Sequence, residues 1–263
     1  MVDASRDGSA EIAEQALGRE HVVRLPAGTL TPDLWAEGIH RSTGQIVALT
    51  TAHFEVQPGW VESLARALNS STAGASGRID LADDTSVTDW AVFYLRYSEF
   101  LSEPDAVTNG VPGIPADNAA YDGDAIRRFA ATRRGFWEVE FHRELQAEGR
   151  SLALVKGATA TYGRSFSFST IAAHRFRHGR HAGAWRVATH QRSAPMVMAM
   201  FPLVPFAFAT RTWRRVRSSP WHRRRFLRAL PVFLPLATMW AIGEAVGALL
   251  GAPVSHAPTP VLA

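Results

Sequence analysis

One carboxylate in this chain, Glu138, has a sequence environment suited to proton transfer. It stands in the segment 137–145 (WEVEFHREL), whose apolar residues recur at helical spacing. Burial between apolar neighbours raises the pKa of a carboxyl group toward neutrality, where the group can act as a general base. The alternative is an ordinary acid on a helix surface, paired with Arg134 or Arg143.

A second polar cluster, 51–53 (TAH), directly follows the apolar run Ile46–Leu49. This run is partly β-branched and too short for a helix, so it predicts a strand that is buried on both faces. Because ligands of open α/β sheets gather at the carboxyl ends of strands, Thr51 and His53 are candidates for a binding site. His53 suits manganese or zinc as a metal ligand. A polar residue that merely ends the strand is the alternative.

Basic and aromatic side chains alternate in a third segment, 164–180, which we call the basic-aromatic segment. Arginine forms paired, charge-assisted hydrogen bonds with phosphate oxygens, so Arg175, Arg177 or Arg180 can stabilise a departing diphosphate. Anionic lipid head groups are an equally good ligand for these side chains. Nucleic acid is a weaker alternative, because no nucleic-acid-binding module accompanies the charge.

The amino-acid composition excludes some kinds of site and limits the size of the fold. The chain has 263 residues, enough for one full domain and an appendage. Cysteine is absent, which excludes disulfides and thiolate metal sites. Lys156 is the only lysine, so the positive charge is carried by arginine. No apolar run opens the chain, and a signal peptide is therefore not expected.

The elements that must position these residues alternate between strands and helices. Short β-branched runs predict strands at 21–25 and 46–49, and helical spacing predicts helices at 32–41 and 83–100, a first helix that follows Ser9 and a third that starts at Pro58-Gly59. This order is typical of βαβ units and implies a parallel sheet. Ser9 is expected to cap the first helix. The apolar stripes are expected at Ile12, Ala13, Ala16 and Leu17 in the first helix and at Val61, Leu64, Ala65 and Leu68 in the third.

Two apolar stretches close the chain. The second, 229–251, is long enough to span a bilayer, and its single acid, Glu244, is expected to face protein or to lie near the interface. The first, 194–210, is shorter and is broken by Pro202 and Pro205, so it predicts an interfacial or re-entrant segment. Between them, the basic loop 211–228 is placed in the cytoplasm by the positive-inside rule.

The order of these segments resembles that of the family 2 glycosyltransferases, which have the GT-A fold. The segment 44–60 (GQIVALTTAHFEVQPGW) is similar to the family strand that ends in Asp-x-Asp before a Pro-Gly-Trp-like helix start, with Thr51 and His53 at the two acid positions. The stretch 2–9 (VDASRDGS) resembles the end of the family's second strand. Asp3 matches the acid that contacts the nucleotide base or ribose there. The strand, helix and loop that precede it in the family are missing, which implies a misplaced start or a truncation.

Two further motifs extend the resemblance. The segment 111–129 resembles the family's acceptor-side strand, and Asn118 matches the asparagine that suits a sugar hydroxyl. Glu138 falls on the general base of a Glu-Asp-x-Asp/Glu-Leu motif, with Glu140 as its next acid on the acceptor side. The basic-aromatic segment occupies the place of a Gln-x-x-Arg-Trp motif that holds the sugar diphosphate. A turn or helix cap is the alternative role of Asn118.

The resemblance implies an α/β fold in which an open, mostly parallel sheet is flanked by helices and followed by C-terminal membrane-associated helices. A GT-A-like domain over 1–192 and a membrane-associated region over 193–263 are expected. The implied reaction is inverting transfer of a sugar from a nucleotide-sugar donor to a lipid-linked or cell-envelope glycan acceptor. It would occur at the cytoplasmic face of the inner membrane. A divalent cation, manganese or magnesium, is expected at His53 if the site uses one, and Thr51 brings no charge to hold it.

Two other classes of protein fit some of these residues. A catalytically inactive membrane protein with this fold, or a truncated relic, would bind glycan or a partner enzyme, and the replaced acids at Thr51 and His53 favour it. A basic scaffold at the membrane surface would not need the base motif around Glu138.

Overall fold

The fold is described from a computed structural model, which covers residues 1–132, 135–163 and 167–251. Arg134 and residues 164–166 of the basic-aromatic segment lie outside these ranges. Two compact units are present, the first formed by Met1–Thr51, Val56–Arg78 and Glu103–Ala160. The second is formed by Ala52–Glu55, Ile79–Ser102 and the described part of Thr161–Ala263. Residues before 192 contribute to both units, and the expected division into 1–192 and 193–263 stays a prediction.

Strands and helices alternate through most of the described chain. In chain order they are β1 (Val2–Asp3), α1 (Ser9–Leu17), β2 (Val23–Arg24), α2 (Thr31–Arg41), β3 (Ile46–Thr50), β4 (Phe54–Val56), α3 (Trp60–Ala67), β5 (Thr72–Ser76), β6 (Ile79–Leu81), α4 (Val87–Tyr97), β7 (Thr108–Asn109), β8 (Asn118–Asp122), α5 (Gly123–Ala131), α6 (Glu138–Ala147), β9 (Ser151–Leu154), β10 (Ala160–Tyr162), α7 (Phe168–Ala188), α8 (Ala194–Met200), α9 (Val204–Val216) and α10 (Pro220–Leu250). The α/β class with helices flanking the sheets is confirmed.

The main sheet of unit 1 has five strands in the order β3-β8-β5-β9-β7. Strand β8 lies between β3 and β5 and runs antiparallel to both, and β7 is antiparallel to β9. Only the β5-β9 pair is parallel among the described strands of this sheet. The sheet is thus mixed rather than mostly parallel. β3 and β5 do share a direction, as a βαβ unit requires, but β8 is inserted between them.

A separate two-stranded parallel sheet pairs β1 with β2, with Val2 opposite Val23 and Asp3 opposite Arg24. The helix between them, α1, is capped by Gly8, whose φ of +84° is accessible to glycine at little cost, and not by Ser9 as expected. Its buried residues are Ala10 and Ala13. The expected apolar stripe is wrong, since Ile12 is 68% exposed and Leu17 52% exposed.

Strand β3 buries one face only. Val47 and Leu49 are buried, whereas the side chains between and beside them are exposed. The expectation of burial on both faces is therefore wrong, because only Val47 and Leu49 join the core cluster, which also includes Ile39 of α2 and Ile126 of α5.

The two faces of β8 pack into two different cores. Alternate residues Ala119 and Tyr121 join the aromatic cluster that includes Phe136 and Phe141. Ala120 on the opposite face packs with Trp60 of α3 and its neighbours. The buried stripe of α3 consists of Trp60, Leu64 and Ala67, and the expected member Val61 is 57% exposed.

Unit 2 has an aromatic core around α4, which lies inside the expected helix 83–100. Ser86 and Asp89 form a reciprocal capping box at its start. Phe93 and Tyr94 are fully buried, and the Tyr94 hydroxyl lies 3.2 Å from Nδ1 of His222 on α10. These aromatic side chains therefore belong to the core of unit 2.

The C-terminal region is helical almost throughout. The expected basic loop 211–228 is wrong, because α9 continues to Val216 and α10 begins at Pro220. Arginine is a good helix former, and proline is well tolerated in the first turn of a helix, so neither ends the helical run. Two segments, Ala194–Val216 and Pro220–Leu250, are long and apolar enough to cross a membrane.

Helices α7 and α10 pack closely through glycines. A Cβ at Gly179 would meet the carbonyl oxygen of Trp240, and one at Gly183, one turn farther along, would meet the carbonyl oxygen of Glu244. Because contacts farther along α7 are made farther along α10, the two helices run in the same direction. Such close backbone approach is possible only without side chains at these positions. Half of the apolar stretch of α10 is thereby buried inside unit 2.

Candidate functional site

The polar tip after β3 begins where the sequence predicted. The strand ends at Thr50, so Thr51 is the first residue beyond it, and it is half-buried in unit 1. His53 belongs to unit 2, where its carbonyl oxygen accepts a hydrogen bond from the Gly163 amide at 2.9 Å. The chain therefore passes from unit 1 to unit 2 within this tip.

Unit 2 gathers basic side chains around His53, and we call them the basic cluster, namely His53, Arg96, His174 and Arg177. Phe54, the next residue after His53, packs its ring 5.4 Å from that of Tyr97. The guanidinium of Arg96 lies 5.0 Å from the centre of the same Tyr97 ring. These contacts fix the end of α4 against the segment that carries His53.

The basic cluster is accessible and positively charged. Burial lowers the pKa of His174, and Arg177, Arg96 and His53 lower it further, in that order. Like charges close to a titratable base disfavour its protonated form. Arg96 and Arg177 are exposed, whereas the two histidines are half-buried. A ligand that reached this cluster would meet two exposed guanidinium groups.

The other two predicted arginines lie outside the cluster. Nε of Arg180 donates a hydrogen bond of 3.0 Å to the carbonyl oxygen of Gly251, the residue that caps α10. A positive charge there is stabilised by the partial negative charge of the helix end. Arg175 is half-buried on α7 and acts on the pKa of His178, which burial lowers well below its usual value. Arg177 is thus the exposed member of the predicted set.

The donor set at the tip does not fit a divalent cation. Among residues 1–132, 135–163 and 167–251 there is no group of three or more His, Asp or Glu side chains that could hold a metal ion. Manganese and magnesium bind through several carboxylate or carbonyl oxygens, whereas the groups acting with His53 on His174 are cationic. No step of the reaction is therefore derived through a metal.

Asp3 lies at the carboxyl end of β1, as the resemblance implies. Its Oδ2 accepts hydrogen bonds from the backbone amide and the hydroxyl of Ser5, both at 3.0 Å. This local turn holds the half-buried carboxylate at the strand end. The position is compatible with a contact to a ribose or base, and the role of Asp3 stays a prediction.

Asn118 has a structural role in this fold. Its side chain is fully buried, and its Oδ1 accepts a hydrogen bond of 2.6 Å from Nε1 of Trp60. Its Nδ2 donates to the carbonyl oxygens of Arg78 and Ala158, both at 3.1 Å. The expected contact between this amide and an acceptor hydroxyl is thus wrong, because the amide is closed off from solvent and already bonded on both sides.

Replacing Asn118 with leucine is expected to lower the free energy of unfolding by about 2–4 kcal/mol, because the buried Trp60 donor and two carbonyls lose their partner. Urea unfolding followed by tryptophan fluorescence measures the loss. The matched control is Asn109→Leu on exposed β7, which should change stability little. A stable Asn118→Leu variant with a raised KM for an acceptor would instead restore the binding role.

Glu138 begins α6 and is half-buried in unit 1. One turn farther along the helix stands His142, which is buried, and its Nε2 lies 2.9 Å from the hydroxyl of Tyr121 on β8. Burial raises the pKa of Tyr121 well above its usual value, and the negative charges of Glu138 and Asp117 raise it further. Both acids therefore lie close enough to act on Tyr121. We call these four side chains the acid-tyrosine cluster.

Burial determines the protonation states of His142 and Tyr121 in the acid-tyrosine cluster. Burial lowers the pKa of His142 to about 3, so its imidazole is neutral at physiological pH. Tyr121 keeps its proton for the reason given above. Because the tyrosine is protonated and the histidine is a weak base, Glu138 and Asp117 are the groups of the cluster left to accept a proton. Proton acceptance from a bound hydroxyl group is the chemistry that such a carboxylate supports.

Sequence reasoning missed three members of this cluster, namely Asp117, Tyr121 and His142. One signal was present in the helix, where His142 follows Glu138 by four residues on one face. Asp117 directly precedes β8, which carries Tyr121. The expected shielding of Glu138 by Val139 is wrong, because adjacent residues of a helix point in different directions and Val139 is 53% exposed. Glu140 is half-buried in the first turn of α6.

Comparison with known protein families gives one match, which covers about the first half of the chain. Residues 1–130 match the family model described as glycosyl transferase family 2. This range includes Asp3, Thr51 and His53, while Glu138 and the arginines of α7 lie beyond it. A search among curated proteins finds no match. The chain therefore carries a domain of glycosyl transferase family 2, joined to a C-terminal region with two long apolar helical segments.

Proposed function

We propose that this glycosyltransferase moves a sugar from a nucleotide-sugar donor to a lipid-linked or cell-envelope glycan acceptor, with inversion at the anomeric carbon. The observation that carries the proposal is the acid-tyrosine cluster, which places Glu138 in a partly buried polar site of a chain that carries the family domain. A binding protein would not need a carboxylate held beside two neutral polar groups in this way.

In the proposed reaction Glu138 accepts the proton of the acceptor hydroxyl. The freed oxygen forms a bond to the anomeric carbon as the bond from that carbon to the donor diphosphate breaks. The nucleoside diphosphate leaves on the opposite face of the sugar with the electron pair. Asp3 would contact the nucleoside and Glu140 the acceptor, as the resemblance implies. General-base catalysis of this kind contributes typically about 10²–10⁴-fold to a rate.

The donor diphosphate would be bound beyond the tip at Thr51 and His53, with arginines of α7 supplying positive charge. Arg177 is the strongest candidate because it is exposed and close to His174. Arg175 is less exposed, and Arg180 would first have to give up its bond to the Gly251 carbonyl. Charge developing on a leaving diphosphate is best stabilised by groups already in place.

The C-terminal helices would hold the catalytic region at a membrane surface. The segment Ala194–Val216 buries only 11% of its apolar stretch and exposes Met196, Leu203 and Phe206. An exposed apolar face beside many arginines suits the interface of an anionic bilayer. In the proposal this segment lies in the interface and the catalytic region faces the cytoplasm of a cell with an inner membrane. The stretch 229–251 is not proposed to span the bilayer alone, because α7, which carries Arg177, packs along it from Trp240 to Gly251.

A second candidate function is retained because of one observation. The tip has lost both acids expected by the resemblance, and the residues described around it do not form a metal site. An inactive relative that binds glycan or a partner enzyme would tolerate this loss. Such a protein would bind its ligand without turning over a donor, and that difference decides between the two candidates.

The test is a screen of nucleotide sugars against the full chain in lipid nanodiscs, with donor hydrolysis and transfer measured for each sugar. The proposal expects turnover of at least one donor. The anomeric configuration of the product, measured by NMR, should be opposite to that of the donor. Binding of a glycan together with no turnover of any donor would favour the inactive relative.

A further inference from the structure

Helix α7 lies alongside the apolar half of α10. A Cβ at Gly247 would meet the carbonyl oxygen of Arg180, and Nε of Arg180 bonds to the carbonyl oxygen of Gly251 at 3.0 Å. With the contact between Gly183 and Glu244, these contacts hold the two backbones together along the C-terminal part of α10. Any environment that takes in this part of α10 must therefore also take in α7.

α7 brings positive charge to the apolar stretch. Between residues 174 and 186 it has seven basic side chains and no acid, namely His174, Arg175, Arg177, His178, Arg180, His181 and Arg186. Four of them are arginines, which keep their charge at any physiological pH. The apolar stretch of α10 contributes one acid, Glu244, which pairs with Arg186. The helix pair is thus strongly positive, and positive charge in hydrocarbon is costly.

A spanning position of 229–251 would place Arg177 close to the midplane of a bilayer. A Cβ at Gly243, near the middle of this stretch, would meet the carbonyl oxygen of Phe176, the residue before Arg177. Arg177 is exposed, so its guanidinium would then lie among acyl chains. Ionisable side chains inside membranes almost always face protein or a water-filled cavity. The stretch is better explained as a core helix, since half of it is buried inside unit 2.

The other apolar segment, Ala194–Val216, has a free face. Exposed side chains recur along α9 at spacings of three and four residues, which places them on one side of the helix. We call them the α9 stripe, namely Leu203, Phe206, Thr210, Trp213 and Arg217. The opposite side of α9 is held against α4, where Thr212 Oγ1 donates to the Tyr94 carbonyl oxygen at 3.4 Å. The α9 stripe therefore faces away from the core of unit 2.

The α9 stripe changes from apolar to basic along the helix. Leu203 and Phe206 are 63% and 64% exposed, Trp213 follows at 37%, and Arg217 ends the stripe. Trp221 in the first turn of α10 is 38% exposed. Tryptophan favours the boundary between acyl chains and head groups, and arginine extends to the head groups. This order suits a helix whose first turns enter a leaflet and whose last turn stays at its surface.

Exposed arginines surround the connection 217–219. Six of them form no ion pair with any residue of 1–132, 135–163 or 167–251, namely Arg211, Arg214, Arg217, Arg223, Arg224 and Arg228. A second copy of the chain would bring the same positive charge to this face and is therefore a poor occupant. Anionic phospholipid supplies the opposite charge, and each arginine near its surface adds to the binding.

We propose that the chain attaches to one leaflet of an anionic bilayer and that none of its described helices crosses the membrane. The apolar end of the α9 stripe lies among the acyl chains, and the arginines around 217–219 contact the lipid phosphates. This inference rests on the membrane association in the proposed function and does not need the transferase reaction. The expected span at 229–251 is replaced by attachment from one side.

The first experiment measures topology. The chain has no cysteine, so single-cysteine variants report the position of chosen side chains. Leu227 and Leu249 lie near the two ends of α10 and are 48% and 59% exposed. In bacterial inner-membrane vesicles of either orientation, an impermeant maleimide should label Leu227→Cys and Leu249→Cys from the cytoplasmic side only. Protection of Leu249→Cys on that side, with or without labelling from the other, overturns the proposal.

The second experiment measures binding of the full chain to vesicles by flotation, with phosphatidylcholine alone and with about 30% phosphatidylglycerol added. Phe206→Ser should weaken binding to the anionic vesicles about 10-fold or more, because a large apolar side chain is lost from the leaflet. The double variant Arg214→Gln with Arg217→Gln should also weaken it about 10-fold or more. These side chains are exposed, so the variants should fold, which circular dichroism checks.

The matched controls lie in unit 1. Val61→Ser on α3 replaces a side chain that is 57% exposed, and Arg128→Gln on α5 replaces one that is 64% exposed. Both should bind anionic vesicles like the parent chain. Equal binding of the parent to the two kinds of vesicle overturns the proposal, as does binding that Phe206→Ser leaves unchanged. A lipid-free dimer that Phe206→Ser dissociates would assign the stripe to a second copy and also overturn it.

Failure of the proposed function gives a different pattern. If the chain binds anionic vesicles from one side and no nucleotide sugar is turned over, the attachment stands and the transferase reaction falls. If donors are turned over by a chain whose Leu227 and Leu249 positions are labelled from opposite sides, the reaction stands and the one-sided attachment falls. The two results are thus read from separate measurements.

Discussion

Replacing Glu138 with glutamine is expected to lower the rate of sugar transfer by about 10²–10⁴-fold, the usual contribution of a general base. Glutamine keeps the shape of the side chain and can still accept a hydrogen bond, but it cannot take a proton from the acceptor hydroxyl. Donor binding should be unchanged, because the substitution leaves the proposed donor-binding residues, among them Asp3 and Arg177, in place. The measurement is single-turnover transfer at saturating donor, with the donor dissociation constant determined separately.

The control for this substitution is Glu148→Gln. Glu148 is exposed and follows the last residue of the same helix, α6, so it tests loss of one acidic charge without loss of the base. The Glu148→Gln variant should transfer sugar at the same rate as the parent chain. A Glu138→Gln variant that transfers sugar as fast as the parent would show that another group takes the proton. Asp117, the second acid beside Tyr121, would then be the first to test.

The prediction for Glu138 also shows which features of the site could be predicted from the sequence alone and which could not. Helical spacing around 137–145 predicted α6, and the structure has it at Glu138–Ala147. Spacing within one helix cannot report which side chains approach from elsewhere, so Tyr121 was missed although its hydroxyl is bonded to His142. Contacts of this kind depend on the order of strands in the sheet, which local patterns do not encode.

Asn118 illustrates the same limit for a strand. The sequence predicted correctly that a strand stands here before a helix, and β8 and α5 confirm it. Successive residues of a strand point to opposite faces, so Asn118 and Tyr121 enter different cores. Because β8 is inserted between β3 and β5, one of its faces meets α3 and the other meets α6. Placing Asn118 and Glu138 in one acceptor site was wrong for this reason.

The C-terminal region was easier to delimit than to interpret. Its apolar stretches are evident from composition alone, and both occur in long helices. Arginine-rich residues 211–228 were expected to form a loop, but charge does not end a helix, and the connection between α9 and α10 is only 217–219. The partner of Glu244 was also beyond sequence reasoning, although the expectation that this acid faces protein is confirmed.

Helix packing in unit 2 brings Glu244 of α10 to Arg186 of α7, where they form an ion pair. Glu244 is only 1% exposed, whereas the Arg186 side chain is 28% exposed and its guanidinium lies 5.4 Å from the centre of the Trp240 ring. The glycine contacts between the two helices leave little space for water around the carboxylate. The pair is therefore asymmetric, since only the arginine has a route to solvent.

Replacing Arg186 should therefore lower the free energy of unfolding more than replacing Glu244 does. Arg186→Leu leaves a buried carboxylate without its cation, and the free energy of unfolding should fall by about 3–5 kcal/mol. Glu244→Leu lets the guanidinium turn toward solvent, so a smaller loss, about 1–2 kcal/mol, is expected. Hydrogen exchange of the α7 and α10 amides, measured by mass spectrometry in detergent, reports both losses in the helices concerned.

The double variant decides whether the pair itself stabilises the fold or only avoids a buried charge. Replacing both partners with leucine removes the charge and its partner together, so stability should recover to near that of the parent. Arg223→Leu, an exposed arginine near the start of α10, is the control and should leave exchange unchanged. Equal losses for the two single variants would contradict the asymmetry, because both charges would then be equally buried. A double variant as unstable as Arg186→Leu would show that leucine cannot be packed between these helices.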